Sequence, residues 1–300
     1  MKKKLIVLTG IMAIVVITLA ATVFFINRGN KDTFRKEEDK INVVASFYTT
    51  YILTINLTDG ISDFKVDSLT DFSGGCLHDY QLTTNDMRLL SDADVFIING
   101  GGMEEYLEEV IETYPDLEVI NLSKDVDMLK SEVHEGGDNP HVWLNPDLYI
   151  IQIENARRGL EDYIKGIDND IDNNELIALL NSNTEAYLED VRLLSDDMNL
   201  MLSSVNDMVQ KKVISNKVVV FHDAFAYLSN KAGLEVAYTV EIDEDTALSP
   251  GEVAEVISAV RNENIHYLFT EEQYDDTISN RISEETDAKI YIIDSAVTGD

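Results

Sequence analysis

From residue 41 onward, short apolar runs of strand length alternate with stretches of helical spacing, and this switching of period restricts the fold more than any other feature of the chain. Runs at 41–46, 64–66, 95–98 and 117–120 read as strands, with helical spacing at 84–90 and 103–113 between them. A second series repeats the scheme, with runs at 217–221, 234–239, 266–269 and 289–293 and helices at 224–231, 250–262 and 275–285. Such alternation predicts parallel sheets with helices on both faces. The boundaries carry their own signals. Ser249-Pro250-Gly251-Glu252 supplies an N-cap, a first-turn proline and a capping-box glutamate. Asn145-Pro146 opens another helix, and Gly233 sits where one should end.

The two series resemble each other. Ala93 to Ile98, a loop and the helix after it mirror Glu263 to Phe269, a loop and the helix near 275–282, although no strict repeat period is visible. Between the series, 147–166 and 173–210 read as helical, separated by a polar break at 166–174. The expected fold class is therefore α/β: two similar lobes, each a mostly parallel four-stranded sheet flanked by helices, joined by a long rigid helix. The expected division is an N-terminal lobe at 41–172, a connecting helix at 173–210 and a C-terminal lobe at 211–300.

The N-terminus is different in kind. Lys2, Lys3 and Lys4 precede an uncharged, mostly apolar run from Leu5 to Ile26, which as a helix would span roughly 30 Å, the thickness of a bilayer core. Residues 1–27 read as a signal anchor, or as a signal peptide if cleaved, with 28–40 as a polar tether. The body would then be extracytoplasmic, tethered to the cell membrane or secreted. Charge narrows the partners. The chain carries a formal −33, and leaving out the first 40 residues makes the rest −37, which rules out neutralising phosphates and so excludes nucleic acid. Cys76 is the one cysteine, so neither an intrachain disulfide nor a cysteine-rich zinc module is available.

Five histidines are present, and three stand beside turn residues or at a strand end: His78, His141 and His222. The carboxyl ends of strands are where parallel α/β sheets bind ligands, and Asp294 closes the last apolar run. Three imidazoles and a carboxylate would make a four-coordinate site for zinc. Spacing alone does not bring them together. His78, His141 and His222 are separated by 63 and 81 residues, and for any one of them a solvated or singly hydrogen-bonded ring is the plain alternative.

Seven stretches in order give a further lead: Val43 to Tyr48; His78-Asp79-Tyr80; Leu90 to Gly100; Asn139-Pro140-His141-Val142-Trp143-Leu144-Asn145-Pro146; Phe221-His222-Asp223-Ala224-Phe225; Phe269 to Gln273; and Ile293-Asp294. Across about 41–295 the chain resembles the zinc/manganese substrate-binding proteins of ABC transporters, the ZnuA- and TroA-like group. The resemblance implies a metal between the lobes, held by His78 and His141 from the first and His222 and Asp294 from the second. It also implies a non-enzymatic carrier that acts as a monomer and delivers its ion to a membrane permease. A third histidine favours Zn²⁺ over Mn²⁺, since imidazole suits zinc and hard oxygen ligands suit manganese. Mn²⁺ is the alternative cargo, and a metal-containing surface adhesin the alternative role.

The chain departs from the family pattern in several places. The loop before His141 holds His134 alone, where zinc members carry more histidines. Leu77 stands in place of a proline, and Cys76 lies two residues from His78. The sequence runs only six residues past Asp294, where the family continues into a closing helix, so either that helix is lacking or the sequence is a fragment. Gly100-Gly101-Gly102 reads as a tight turn, because Glu104 and Glu105 would repel an anion there. Glu271, after a strand end, is a candidate to face the cleft.

Overall fold

The computed structural model describes residues 40–72, 80–131, 137–167, 173–240, 249–271 and 277–299. Strands β1 (Ile41–Ala45), β2 (Phe64–Ser68), β3 (Val95–Ile98) and β4 (Glu118–Asn121) form one sheet in the order β2-β1-β3-β4. Strands β5 (Lys217–Val220), β6 (Glu235–Thr239), β7 (Tyr267–Thr270) and β8 (Lys289–Ile292) form a second in the order β6-β5-β7-β8. Every pairing in both is parallel, and the order recurs element for element. The two expected lobes are therefore one topology used twice. In each, the chain runs outward to one edge and then returns past its first strand, which makes the gap between the two central strands a switch point.

Parallel strands covered by helices must be apolar on both faces, and β3 is buried at all four residues. Val43, Val95 and Ile97 face a core built with α1 (Tyr48–Thr58), α4 (Pro146–Gly166) and α5 (Asn173–Gln210). Val44, Phe96 and Ile98 face the opposite core, built with α2 (Thr84–Ser91) and α3 (Leu107–Thr113). In the second lobe Val219 and Leu268 pack on α7 (Pro250–Glu263) and α8 (Thr277–Glu285), while Val218 and Val220 pack on Phe225, just before α6 (Ala226–Lys231). Further out on this sheet, Tyr238, Tyr291 and Ile292 are exposed.

Local signals account for most boundaries. Ser249 caps α7 and Glu252 completes the capping box, while Asn145 caps α4 with Pro146 at the first turn. Helix α1 has no counterpart in the sequence reading. Its residues, Tyr-Thr-Thr-Tyr-Ile-Leu-Thr-Ile-Asn-Leu-Thr, are rich in β-branched side chains and lack a one-sided apolar stripe. The threonines are buried by bonding back along the helix. Thr54 and Thr58 donate to the carbonyls of Thr50 and Thr54 at 2.7 and 2.9 Å. Helix α3 starts at Leu107 rather than at 103, because Glu104 turns back into the preceding loop.

Helix α5 runs 38 residues, roughly 57 Å, and its two halves differ. The first half buries Leu176, Leu180, Leu188 and Val191 in the first lobe. The second half leaves Leu193, Leu194, Leu200 and Met201 exposed. The apolar run expected to cross a membrane, Leu5 to Ile26, lies outside the described residues. Among described helices none is long and apolar enough for that.

This asymmetry is measurable by urea denaturation. Leu180→Ala, at a fully buried site, should cost about 2–5 kcal/mol of stability. Leu200→Ala, at a residue 73% exposed on the same helix, should fall within about 0.5 kcal/mol of the parent.

Candidate metal centre

The second lobe's switch point lies at the carboxyl ends of β5 and β7. His222 follows β5 by two residues and Glu271 follows β7 directly. His141 comes from the first lobe, on the loop that a 3-10 turn (Val142–Leu144) connects to α4. The structure brings His141 and His222 together, with ring centroids 4.6 Å apart and planes at 80°. Both are buried, at 1% and 7% exposure. Trp143 packs edge-on against His141, with centroids 5.2 Å apart.

The orientation of each ring follows from its neighbours. Asn139 Oδ1 accepts from the His141 backbone N–H at 3.0 Å and lies 2.9 Å from His141 Nδ1. The Asn139 Nδ2 donates to the Asp223 carbonyl at 2.8 Å. A peptide N–H only donates and a carbonyl only accepts, so the amide cannot be turned over, and His141 must carry its proton on Nδ1. His222 Nδ1 is bonded to Glu271 Oε1, and Ser295 Oγ donates to Glu271 Oε2 at 3.2 Å. In their neutral forms both rings then carry the lone pair on Nε2, the tautomer that a carboxylate or carbonyl partner fixes in metal-ligating histidines.

The other expected ligands differ in placement. His78 lies outside the described residues, as do Cys76 and His134. Asp294 is exposed, and its Oδ1 accepts from the Ala296 N–H at 2.8 Å, closing its own turn. The carboxyl group that stands against the histidine pair is that of Glu271. Among the described residues, no three His, Cys, Asp or Glu side chains gather closely enough to enclose an ion. Asp223, directly after His222, is buried; its Oδ2 accepts from Ser131 Oγ at 2.8 Å and its Oδ1 has no hydrogen-bond partner among the described residues. Sequence reasoning overlooked Asn139 and Ser295. The signal for Asn139 was its position two residues before His141, where a short amide reaches the following backbone.

The glycine run is the tight turn expected, with positive φ at Gly100, Gly101 and Gly102. A Cβ on Gly100 would lie 2.1 Å from Asn121 Oδ1, so any other residue would have to displace that side chain and take up a strained positive φ. Glu104 fills the turn from inside. Its Oε1 accepts from Ser46 Oγ and the Asn99 N–H, both at 2.8 Å, and its Oε2 from the Gly100 N–H at 2.9 Å. Burial raises its pKa above the usual carboxylate range, and these donors oppose that rise. Asn99 in turn donates to the Pro140 carbonyl at 2.9 Å and thereby steadies the residue before His141.

Several contacts join the lobes around the histidines. Trp143 Nε1 donates to the Ser295 carbonyl at 2.8 Å, and Val297 packs among Phe47, Met103 and Trp143. On the far side, Lys231 of α6 donates to Asp147 of α4 at 2.6 Å, and Ser195 of α5 donates to the other carboxylate oxygen.

Comparison with known proteins fits this arrangement. Residues 43–300 match the family described as ZnuA, zinc-uptake complex component A, periplasmic. The chain belongs to the ZnuA family. One ZnuA-like relative is the manganese-binding lipoprotein MntA of Halalkalibacterium halodurans, 26% identical over 71% of this chain and 66% of that protein. Another is the iron-binding protein YfeA of Yersinia pestis, 27% identical over 83% of this chain and 75% of that one. The Zn(II)-bound structure of AdcA from Streptococcus pneumoniae superposes with a TM-score of 0.71 at 23% identity, covering 87% of this chain and 52% of that one. The shared ZnuA fold is the paired-sheet architecture described above.

The Lys231–Asp147 contact has a defined pH dependence. Its hydrogen bonds from Lys231 and Ser195 hold the Asp147 carboxyl below its usual range. A depressed folded-state pKa gives stability above the unfolded value that is lost as pH falls through the folded one. Lys231→Met should therefore be less stable than the parent at pH 7, and the gap should close as urea titrations are carried below about pH 4.

Proposed function

We propose that the chain is the extracytoplasmic, membrane-tethered substrate-binding component of a metal ABC importer. It takes up Zn²⁺ between its lobes and delivers it to the membrane permease. The observation that carries this reading is the buried pair His141 and His222, one from each lobe, each with Nδ1 held by a protein group so that the neutral ring turns its lone pair on Nε2 outward. Opposed histidines are of use to a carrier because one ion then bridges both lobes, and separating them releases it. In this reading His78 and Asp294 complete the ligand set, and Glu271 orients His222 and raises its basicity. Asp294 adjoins Ser295, whose hydroxyl already reaches Glu271. A site closed by protein ligands suits carriage, since catalytic zinc keeps one position open for water.

Imidazole donors favour zinc. Mn²⁺ is the second reading, supported by the relative named as manganese-binding and by the carboxyl groups of Glu271 and Asp294 at the same end of the second sheet.

Calorimetric titration of the metal-stripped chain with Zn²⁺ and then Mn²⁺ tests the proposal. One tight zinc equivalent with weak manganese binding is expected, and His222→Ala should lose most of the zinc affinity while keeping its circular dichroism. Tight binding of both ions would leave the carrier and reopen its cargo. No binding to a folded chain would overturn the proposal. Asp294→Ala and Glu271→Ala separate a ligand from an orienting group: the first should weaken zinc more than the second. Because ligating imidazoles must be neutral, zinc affinity should fall as the buffer drops below about pH 6. A flat profile between pH 7.5 and 5 would contradict histidine ligation.

A further inference from the structure

After β8 the chain leaves the second lobe and crosses to the first. Ser295 is still tied to the second lobe, where its Oγ donates to Glu271 Oε2 at 3.2 Å. Beyond that hydroxyl the segment is held from the first lobe. Trp143 Nε1 donates to the Ser295 carbonyl at 2.8 Å, and Thr49 Oγ1 of α1 donates to the Ala296 carbonyl at 3.0 Å. Val297, 2% exposed, fills a pocket of Phe47, Met103 and Trp143. The Gly299 N–H donates to the Phe72 carbonyl at 3.3 Å. A Cβ on Gly299 would lie 1.9 Å from the Tyr48 hydroxyl, so the chain runs directly against the first lobe there. Between these anchors Ala296 holds a left-handed φ of 58°, which residues with a Cβ seldom adopt unless their neighbours fix it. The segment also borders the histidine pair, since Trp143 packs edge-on against His141 and Glu271 holds His222.

We propose that residues 295–299 form a strap between the lobes, and that the seating of Val297 in the first lobe governs how long an ion stays between His141 and His222. What the strap controls rests on the metal-carrier reading; that it joins the lobes does not. Other contacts across the seam come from helices. Tyr227 and Lys231 of α6 reach Asn139 and Asp147, and Asp147 is also bonded to Ser195 of α5. Parting the lobes there displaces rigid elements. The strap is different in kind: it is five residues of irregular chain and can lift without disturbing either sheet. Its hydrogen bonds to Trp143, Thr49 and Phe72 can be exchanged for bonds to water once the segment is raised, so they resist lifting only weakly. Val297 has no such compensation. Lifting it exposes the valine and uncovers Phe47 and Met103, which are 1% and 0% exposed with the strap in place. One apolar side chain is thus the main hold on the strap, and unseating it is the step that lets the histidines separate.

Trp143 is the one tryptophan of the chain, so intrinsic fluorescence reads the strap directly. In the metal-free full chain its emission should be blue-shifted and weakly quenched by acrylamide. Val297→Ala should move the emission to the red and raise the quenching. Zinc release is then followed by stopped flow against a chelator. Val297→Ala should release zinc about tenfold faster, as expected for losing about two buried methyl-sized groups, with an association rate within about twofold of the parent. Thr49→Val removes only the hydroxyl that reaches Ala296 and should speed release about threefold. Leu200→Ala, exposed on α5, should change neither readout. A parent Trp143 as open to quencher as free tryptophan, or release from both strap variants at the parent's rate, overturns the inference. If the parent binds no zinc, the carrier reading fails and the strap's control of an ion fails with it, while the quenching still decides whether the strap joins the lobes. Should Val297→Ala not fold, Thr49→Val decides by both readouts.

Discussion

Two parallel sheets, each with its central strands buried on both faces, leave little room for polar chemistry. Valine, phenylalanine and isoleucine side chains occupy both faces of β3, and valines both faces of β5 after Lys217, and any unpaired polar group there would cost stability. Polar side chains are tolerated where the strands end and the backbone turns outward. His141, His222, Glu104, Asp223, Glu271 and Asn139 stand at those ends or on the loops beside them. Their placement follows from the strand order, and the rest of the site follows from their placement.

The two lobes use the same position differently. In the first, the ends of β1 and β3 are closed by Glu104, whose carboxyl group takes three hydrogen bonds from Ser46, Asn99 and Gly100. That switch point is occupied from within by the Glu104 carboxyl group. In the second, the corresponding ends carry His222 and Glu271, with the carboxyl group holding a ring instead of a loop. The first lobe accordingly offers its histidine from a loop braced on Asn99 and Gln152, which donates to Asn99 Oδ1 at 2.8 Å. A repeated topology has been divided between a lobe that braces and a lobe that grips.

Much of this was legible in the sequence, for reasons that differ by element. The central strands could be read because a strand buried on both faces is a nearly uninterrupted apolar run, the edge strands because shorter apolar runs recur at strand length, and helices α4 and α7 because their caps are local chemistry written in consecutive residues. Helix α1 was illegible because its buried face is largely threonine, paired along its own axis, so it shows neither helical propensity nor a stripe. At the site, histidines at turns were visible but their convergence was not, since His141 and His222 are 81 residues apart and meet only through the packing of two sheets. The role of Glu271 was visible as a possibility. That of Asn139 was half visible: its reach to the His141 N–H is local, while its bond to a carbonyl 84 residues away leaves no one-dimensional trace.

Helix α5 shows what this division means mechanically. It is anchored like a beam set in masonry: one half is sunk in the first lobe's core, and the other half, with Ser195 and Leu202 buried, turns most of its leucines and methionines to solvent. A beam fixed at one end transmits bending but does not determine where its tip rests. The second lobe's position is therefore set at the cleft, by hydrogen bonds such as those from Trp143 to Ser295 and from Lys231 to Asp147 and by the packing of Val297 on Phe47, Met103 and Trp143. Stiffness in this molecule belongs to one lobe, and adjustability to the seam.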